Sequence, residues 1–230
     1  MILTTSFCVA ACVAALLLLN ARVIGTGEIE TALSVPPMLS VTSREKTLPA
    51  IVPETDLLVV KMGSYEGPFL ENNSQRYILD AALLEVKNIG NCLLRNAVIR
   101  LSCGEESWTF ELTFLPPGET VLVLEKYGNS CEIVTFTEIV GTQIEDILPD
   151  GGLSKFEVID LEMGKTLIKK LAGEDTDKLH LYYKSTLEDG KYFVGGITYS
   201  YPLGELNAGE TVIINLPNYA MGSSKVVAIQ

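Results

Sequence analysis

The chain has 230 residues, a formal net charge of −12 and a 47% hydrophobic share. That length holds one large domain or two small ones. The acidity, with no clustered basic face, argues against nucleic acid as a partner, because phosphate binding needs concentrated Lys and Arg.

From Met1 to Ala21 no side chain is charged, and Val13 to Leu19 is strongly apolar. About 20 residues at a rise of 1.5 Å cross a hydrocarbon core of about 30 Å. Residues 1–24 therefore read as a transmembrane helix, or as a signal segment that is removed. A signal peptide expects a basic start and small residues at its cleavage site. Here the start offers only the α-amine, and cleavage after Gly25, with Val23 at the −3 position, fits better than cleavage after Ala21. Length favours the anchor. Val9-Ala-Ala-Cys12 matches a lipobox, but the apolar run continues past Cys12. Arg22 follows the segment and does not orient it by the positive-inside rule. A leader before an acidic, β-rich body is the arrangement of an exported domain, so a single-pass cell-membrane protein with an extracellular body is expected, or a secreted one if the leader is cleaved.

Residues 25–55 carry Pro36, Pro37, Pro49 and Pro53 and little apolar periodicity. They read as a flexible, disordered linker. Strand signals then become frequent: Leu57–Val60, Tyr77–Val86, Ala97–Cys103, Trp108–Phe114, Thr120–Glu125 and Ile133–Thr137. A second series follows at Phe156–Leu161, Thr166–Leu171, Lys178–Lys184, Tyr192–Tyr201, Glu210–Leu216 and Lys225–Ile229. Short strands separated by turn residues indicate an all-β sandwich or barrel. The expected organisation is two small sandwich domains in tandem, 56–150 and 151–230.

The two series resemble each other. Trp108, Phe110, Leu112, Leu115 and Gly118-Glu119-Thr120-Val121 lie over Tyr199, Tyr201, Leu203, Leu206 and Gly209-Glu210-Thr211-Val212 at one constant offset. An apolar strand enters a turn whose glycine permits positive φ, and a β-branched strand leaves it. Duplication is the simplest account. This Leu-x-x-Gly-Glu-Thr hairpin, preceded by Leu179-His-Leu181-Tyr182-Tyr183 and a Glu-Asp-Gly turn, resembles the FxLYD-type Ig-like domains of membrane-anchored bacterial surface proteins of Firmicutes. The resemblance implies an extracellular Ig-like sandwich over residues 56–230 and no activity. Tyr183-Lys184 stands where that family's Asp is expected.

Candidates for chemistry are few. His180 is the single histidine, and alternation sets it opposite Leu179 and Leu181, on a solvated face. No Gly-x-Ser-x-Gly elbow presents a serine to it. The acidic pairs Glu105-Glu106, Glu174-Asp175 and Glu188-Asp189 fall at turns, where carboxylates are solvated. Gly173–Asp177 lacks the ligand order of an EF-hand. Cys92, Cys103 and Cys131 allow one disulfide at most and match no zinc pattern, and at least two of them read as small buried hydrophobes. No catalytic, metal-binding or cofactor-binding residue emerges. Alternation sends Tyr183, Phe193, Ile197 and Tyr199 to one side as core, with Trp108 also core. Tyr182 and Tyr192 go to the other side, a candidate patch for a protein or carbohydrate partner.

The expected function is a non-enzymatic, membrane-anchored cell-surface protein, a spacer or interaction module held in the membrane by residues 1–24. The alternatives are an accessory subunit of a bacterial envelope complex for secretion, transport or wall assembly, and a carbohydrate-binding or acidic-pair hydrolase module.

Overall fold

Period-two alternation of apolar and polar residues turns most of the chain into strands that bury one face and wet the other. The computed structural model describes residues 48–71, 76–131, 136–161, 165–173, 176–187, 190–219 and 223–230. The expected leader 1–24 and residues 25–47 of the expected linker lie outside them. Among the described residues no helix is long and apolar enough to cross a membrane. The described part is all-β.

The first half contributes β1 (Ala50–Ile51), β2 (Leu57–Pro68), β3 (Tyr77–Asn88), β4 (Leu94–Cys103), β5 (Glu106–Leu115), β6 (Thr120–Leu124) and β7 (Glu138–Glu145). A 3₁₀ turn at Leu153–Lys155 leads into β8 (Phe156–Asp160), β9 (Lys165–Lys170), β10 (Thr176–Leu187), β11 (Tyr192–Val194), β12 (Tyr199–Leu206), β13 (Thr211–Asn215) and β14 (Ser224–Ile229).

One pairing plan occurs twice. In the first half β2, β3 and β6 form one antiparallel layer, and β5, β4 and β7 form another. In the second half β8, β9 and β13 form one layer, and β12, β10 and β14 the other. The registers correspond. Val86 pairs with Val59 and Val121, as Ile168 pairs with Val158 and Val212. Leu101 pairs with Trp108, as Tyr183 pairs with Tyr199.

Each pair of layers encloses a core. Val59, Leu84, Val86, Ile99, Leu101, Phe110, Leu112 and Val121 are buried in the first, together with Trp108. Phe156, Ile168, Leu181, Tyr183, Leu206, Ile214 and Val226 are buried in the second. Each such aliphatic or aromatic side chain contributes about 1.5–3 kcal/mol on leaving water. A third, smaller cluster of Tyr65, Phe69, Ile78, Leu83 and Leu124 covers the opposite face of β3 and β6. This explains why β3 is buried continuously from Ala81 to Val86 instead of alternating.

The halves are not separated by a free linker at residue 150. Strand β10 pairs with β12 and β14, and its last residues, Thr186 and Leu187, pair with Phe193 and Tyr192 of β11. Strand β11 runs parallel to β6, with Phe193 beside Val121. The sheet order β1-β2-β3-β6-β11-β10-β12 therefore passes from one half to the other without a break. All described residues fall in one compact unit.

Three expectations differ from the structure. The last part of the expected linker belongs to the fold: Ala50 and Ile51 pair with Val59 and Leu58, and Val52 is fully buried in the first core. The expected strand Tyr192–Tyr201 is interrupted, because Gly195-Gly196 turns the chain and separates β11 from β12. Strand β7 was not expected. The strand expected at Ile133–Thr137 falls largely on residues outside those described.

Candidate functional site

The least ordinary chemistry lies where the halves meet. Lys184 on β10 is fully buried. Its Nζ donates to the carbonyls of Thr113 (2.9 Å), Gly196 (3.1 Å) and Ile197 (2.9 Å), with the Thr198 hydroxyl at 3.4 Å. Three carbonyl dipoles replace the water that an ammonium loses on burial, which makes a buried cation tolerable.

Gly196 couples this ammonium to a carboxylate. Its carbonyl accepts from Lys184 and from the Thr113 N–H and hydroxyl. Its N–H donates to Oε2 of Glu71, whose Oε1 accepts from Leu124 N at 2.8 Å. A Cβ at position 196 would lie 1.8 Å from the Glu111 carbonyl, so only glycine fits there. Burial pushes the Glu71 carboxyl up to about 7 against the opposing pull of its backbone donors and Lys184. Burial likewise pushes Lys184 down to about 7, with Glu71 acting the other way.

Further ties cross the same boundary. Lys225 pairs with Glu119 at 2.7 Å, and Gln230 donates to Asp146 at 2.6 Å. The turn at Asp150–Gly152 is pinned by the Asp150 carboxylate, which accepts from Gly152 N and Ser154 N.

Lys184 ties the two halves together. A nucleophilic or basic lysine must meet its substrate, and Lys184 has no exposed surface. Among the described residues no group of three or more His, Cys, Asp or Glu is placed to hold a metal ion. The buried carboxylate of Glu125 is also structural, accepting the backbone N–H groups of Thr109, Tyr127 and Asn129.

The candidate tyrosines are not brought together. Tyr182 is half-buried and stacked on Phe114, with ring centroids 4.3 Å apart, against the first core. Tyr192 is half-buried against the third cluster, with Lys191 over its ring at 4.5 Å. The exposed tyrosines are instead Tyr77 and Tyr127. Tyr183 and Phe193 are both buried but in different cores. His180 sits half-exposed between buried Leu179 and Leu181, with Nδ1 3.2 Å from the Ser200 hydroxyl. Glu105 and Glu106 are exposed. Glu174, Asp175, Glu188 and Asp189 lie outside the described residues. Cys103 and Cys131 pack partly buried against the first core.

Sequence reasoning did not single out Lys184 or Glu71. The one available signal was the lysine at the end of an alternating apolar strand, where the resemblance expects an aspartate. No protein-family model matches this chain, and no characterised protein matches it in sequence.

Proposed function

We propose that the chain is a non-enzymatic, membrane-anchored surface protein whose two Ig-like sandwiches act together as one stiff spacer. The shared strand β10, with Lys184 at its buried end, carries this reading. Tandem domains on a free linker reorient, whereas a continuous sheet with a buried polar tether holds one geometry. Repetition of the pairing plan in both halves supports an origin by duplication of one Ig-like unit.

In this reading the apolar segment 1–24 supplies the membrane attachment. Protease treatment of intact cells tests the exposed location. The expected result is loss of the body without lysis. Protection until the membrane is breached would overturn it.

A further inference from the structure

Sheet edges offer unpaired N–H and C=O groups, and natural proteins blunt them by shortness, proline, bulges, lysine or cover. The edges here are mostly blunted in that way. Strand β1 has 2 residues, and β8 and β13 have 5 each. Strand β12 carries Pro202 and a register shift opposite Leu179. The free side of β5 is covered by Gly196 and Lys126, which bond to Thr113 and Thr109. Ile229 of β14 bonds to Gly151.

Strand β7 differs. It has 8 residues, no proline and no lysine, and among the described residues it pairs with β4 alone. Its outward face carries the β-branched side chains Val140 (38% exposed), Thr142 and Ile144 (61% exposed). Its inner face is supported, because Gly141 leaves room for Val52 of the core beneath it. The strand is held firmly, while among the described residues nothing pairs with its other edge or covers its outer face.

Charge selects the occupant. Exposed Glu138 and Glu145 stand at the two ends. Asp56 adds to the second end through Gln143, whose Nε2 donates to both Asp56 and Glu145. Antiparallel pairing of two β7 strands centred on Thr142 would set Glu138 against Asp146 at both ends, and pairing centred on Gly141 would still crowd Glu138 and Glu145 together there; like charges so placed are destabilising. A second copy of this chain is therefore disfavoured. A strand with a β-branched centre and basic ends is complementary.

We infer that β7 is a docking strand that adds an extended segment of another protein to the sheet, the segment having Lys or Arg at both ends. Main-chain bonds give the affinity in this mode, and alternate side chains and end charges give the selectivity. This inference does not depend on where the chain resides.

Fluorescence anisotropy of labelled peptides with the full chain in mild non-ionic detergent tests it. The probe is an eight-residue peptide of alternating threonine and valine with lysine at both ends. Saturable binding is expected, about three- to tenfold tighter than that of the glutamate-ended analogue, since two exposed ion pairs are each worth little. N-methylation of alternate peptide bonds should abolish it by removing ladder donors. The E138K/E145K double variant, checked for an unchanged circular dichroism spectrum, should reverse the preference. The inference is overturned if neither peptide binds, if both bind equally, or if the N-methylated peptide binds as well as its parent. It is also overturned if the full chain dimerises and Ile144→Lys dissolves the dimer, because the edge would then belong to a second copy.

Discussion

Asn88 and Lys170 make the same three hydrogen bonds at matching places in the two halves. Asn88 N donates to Glu119 O at 3.0 Å, Gly118 N donates to Asn88 O at 3.0 Å, and Asn88 Nδ2 donates to Leu115 O at 2.9 Å. Lys170 N donates to Glu210 O at 3.0 Å, Gly209 N donates to Lys170 O at 2.8 Å, and Lys170 Nζ donates to Leu206 O at 2.7 Å. Two chemically unlike side chains thus satisfy the same buried carbonyl of the Leu-x-x-Gly-Glu turn. The turn needs a donor at that point, and the residue type that delivers it is free to vary.

Replacing either donor leaves a buried carbonyl unpaired, at a cost of about 1–3 kcal/mol. Lys170→Met keeps the stem and removes the donor. Asn88→Ala should cost more, because Asn88 also bonds Cys92 O and Gly90 N. Urea denaturation should show a lowered midpoint with an unchanged slope for both variants. A neutral Asn88→Ala would contradict the role given to this residue.

At the junction, Lys184→Met strips the partner from the Ile197 carbonyl, leaves the Thr113 carbonyl with the Thr198 hydroxyl alone, and removes the cation that favours the Glu71 carboxylate. Leaving a buried carbonyl without its donor costs about 1–3 kcal/mol. Adding Glu71→Gln should recover part of that loss, so a double-mutant cycle in urea should give a clear coupling energy. Strict additivity would show that the two groups do not sense each other.

The pH dependence has a fixed sign for each group. Glu71 is raised from 4.5 to about 7. Its contribution is fully present below 4.5 and is lost as pH rises through 7. Lys184 is lowered from 10.5 to about 7. Its contribution is fully present above 10.5 and is lost as pH falls through 7. Relative to Glu71→Gln, the parent chain should gain stability as pH falls from 7 towards 4.5. Relative to Lys184→Met, it should gain as pH rises from 7 towards 10.5. Chemical denaturation across pH checks both differences, and flat differences would place both groups in water-like surroundings.

Alanine at two glycines separates crowding from backbone strain. At Gly209 φ is +85° and an added Cβ meets open space, so Gly209→Ala should cost about 1–2 kcal/mol from the left-handed conformation alone. At Gly196 the Cβ collides with the Glu111 backbone, so the chain must move apart at the junction. Gly196→Ala should be the more damaging by a wide margin in thermal melting. Equal losses would mean that the junction yields easily.

Much of the strand content was legible because alternation and turn residues report on one strand at a time. Tyr77–Val86 and Trp108–Phe114 lie within β3 and β5, and the matched Gly-Glu-Thr-Val turns fall at equivalent places. The join between the halves was not legible. Nothing local in Tyr192–Val194 says that it runs parallel to Val121, a partner far away in sequence. Tyr182 alternates like an exposed residue, yet Phe114 from the other half stacks on it. Lys184 alternates like a surface lysine and is buried, because its acceptors come from β5 and from the Gly195-Gly196 turn. Side-chain period fixes a face of a strand but not what comes to cover it.

Calorimetric unfolding of the full chain in mild detergent tests most directly that the two halves form one body through β10 and Lys184. A single transition is expected for the parent chain, with calorimetric and van't Hoff enthalpies in agreement. Lys184→Met should lower that transition or divide it. Two well-separated transitions in the parent chain, with neither moved by Lys184→Met, would contradict the account.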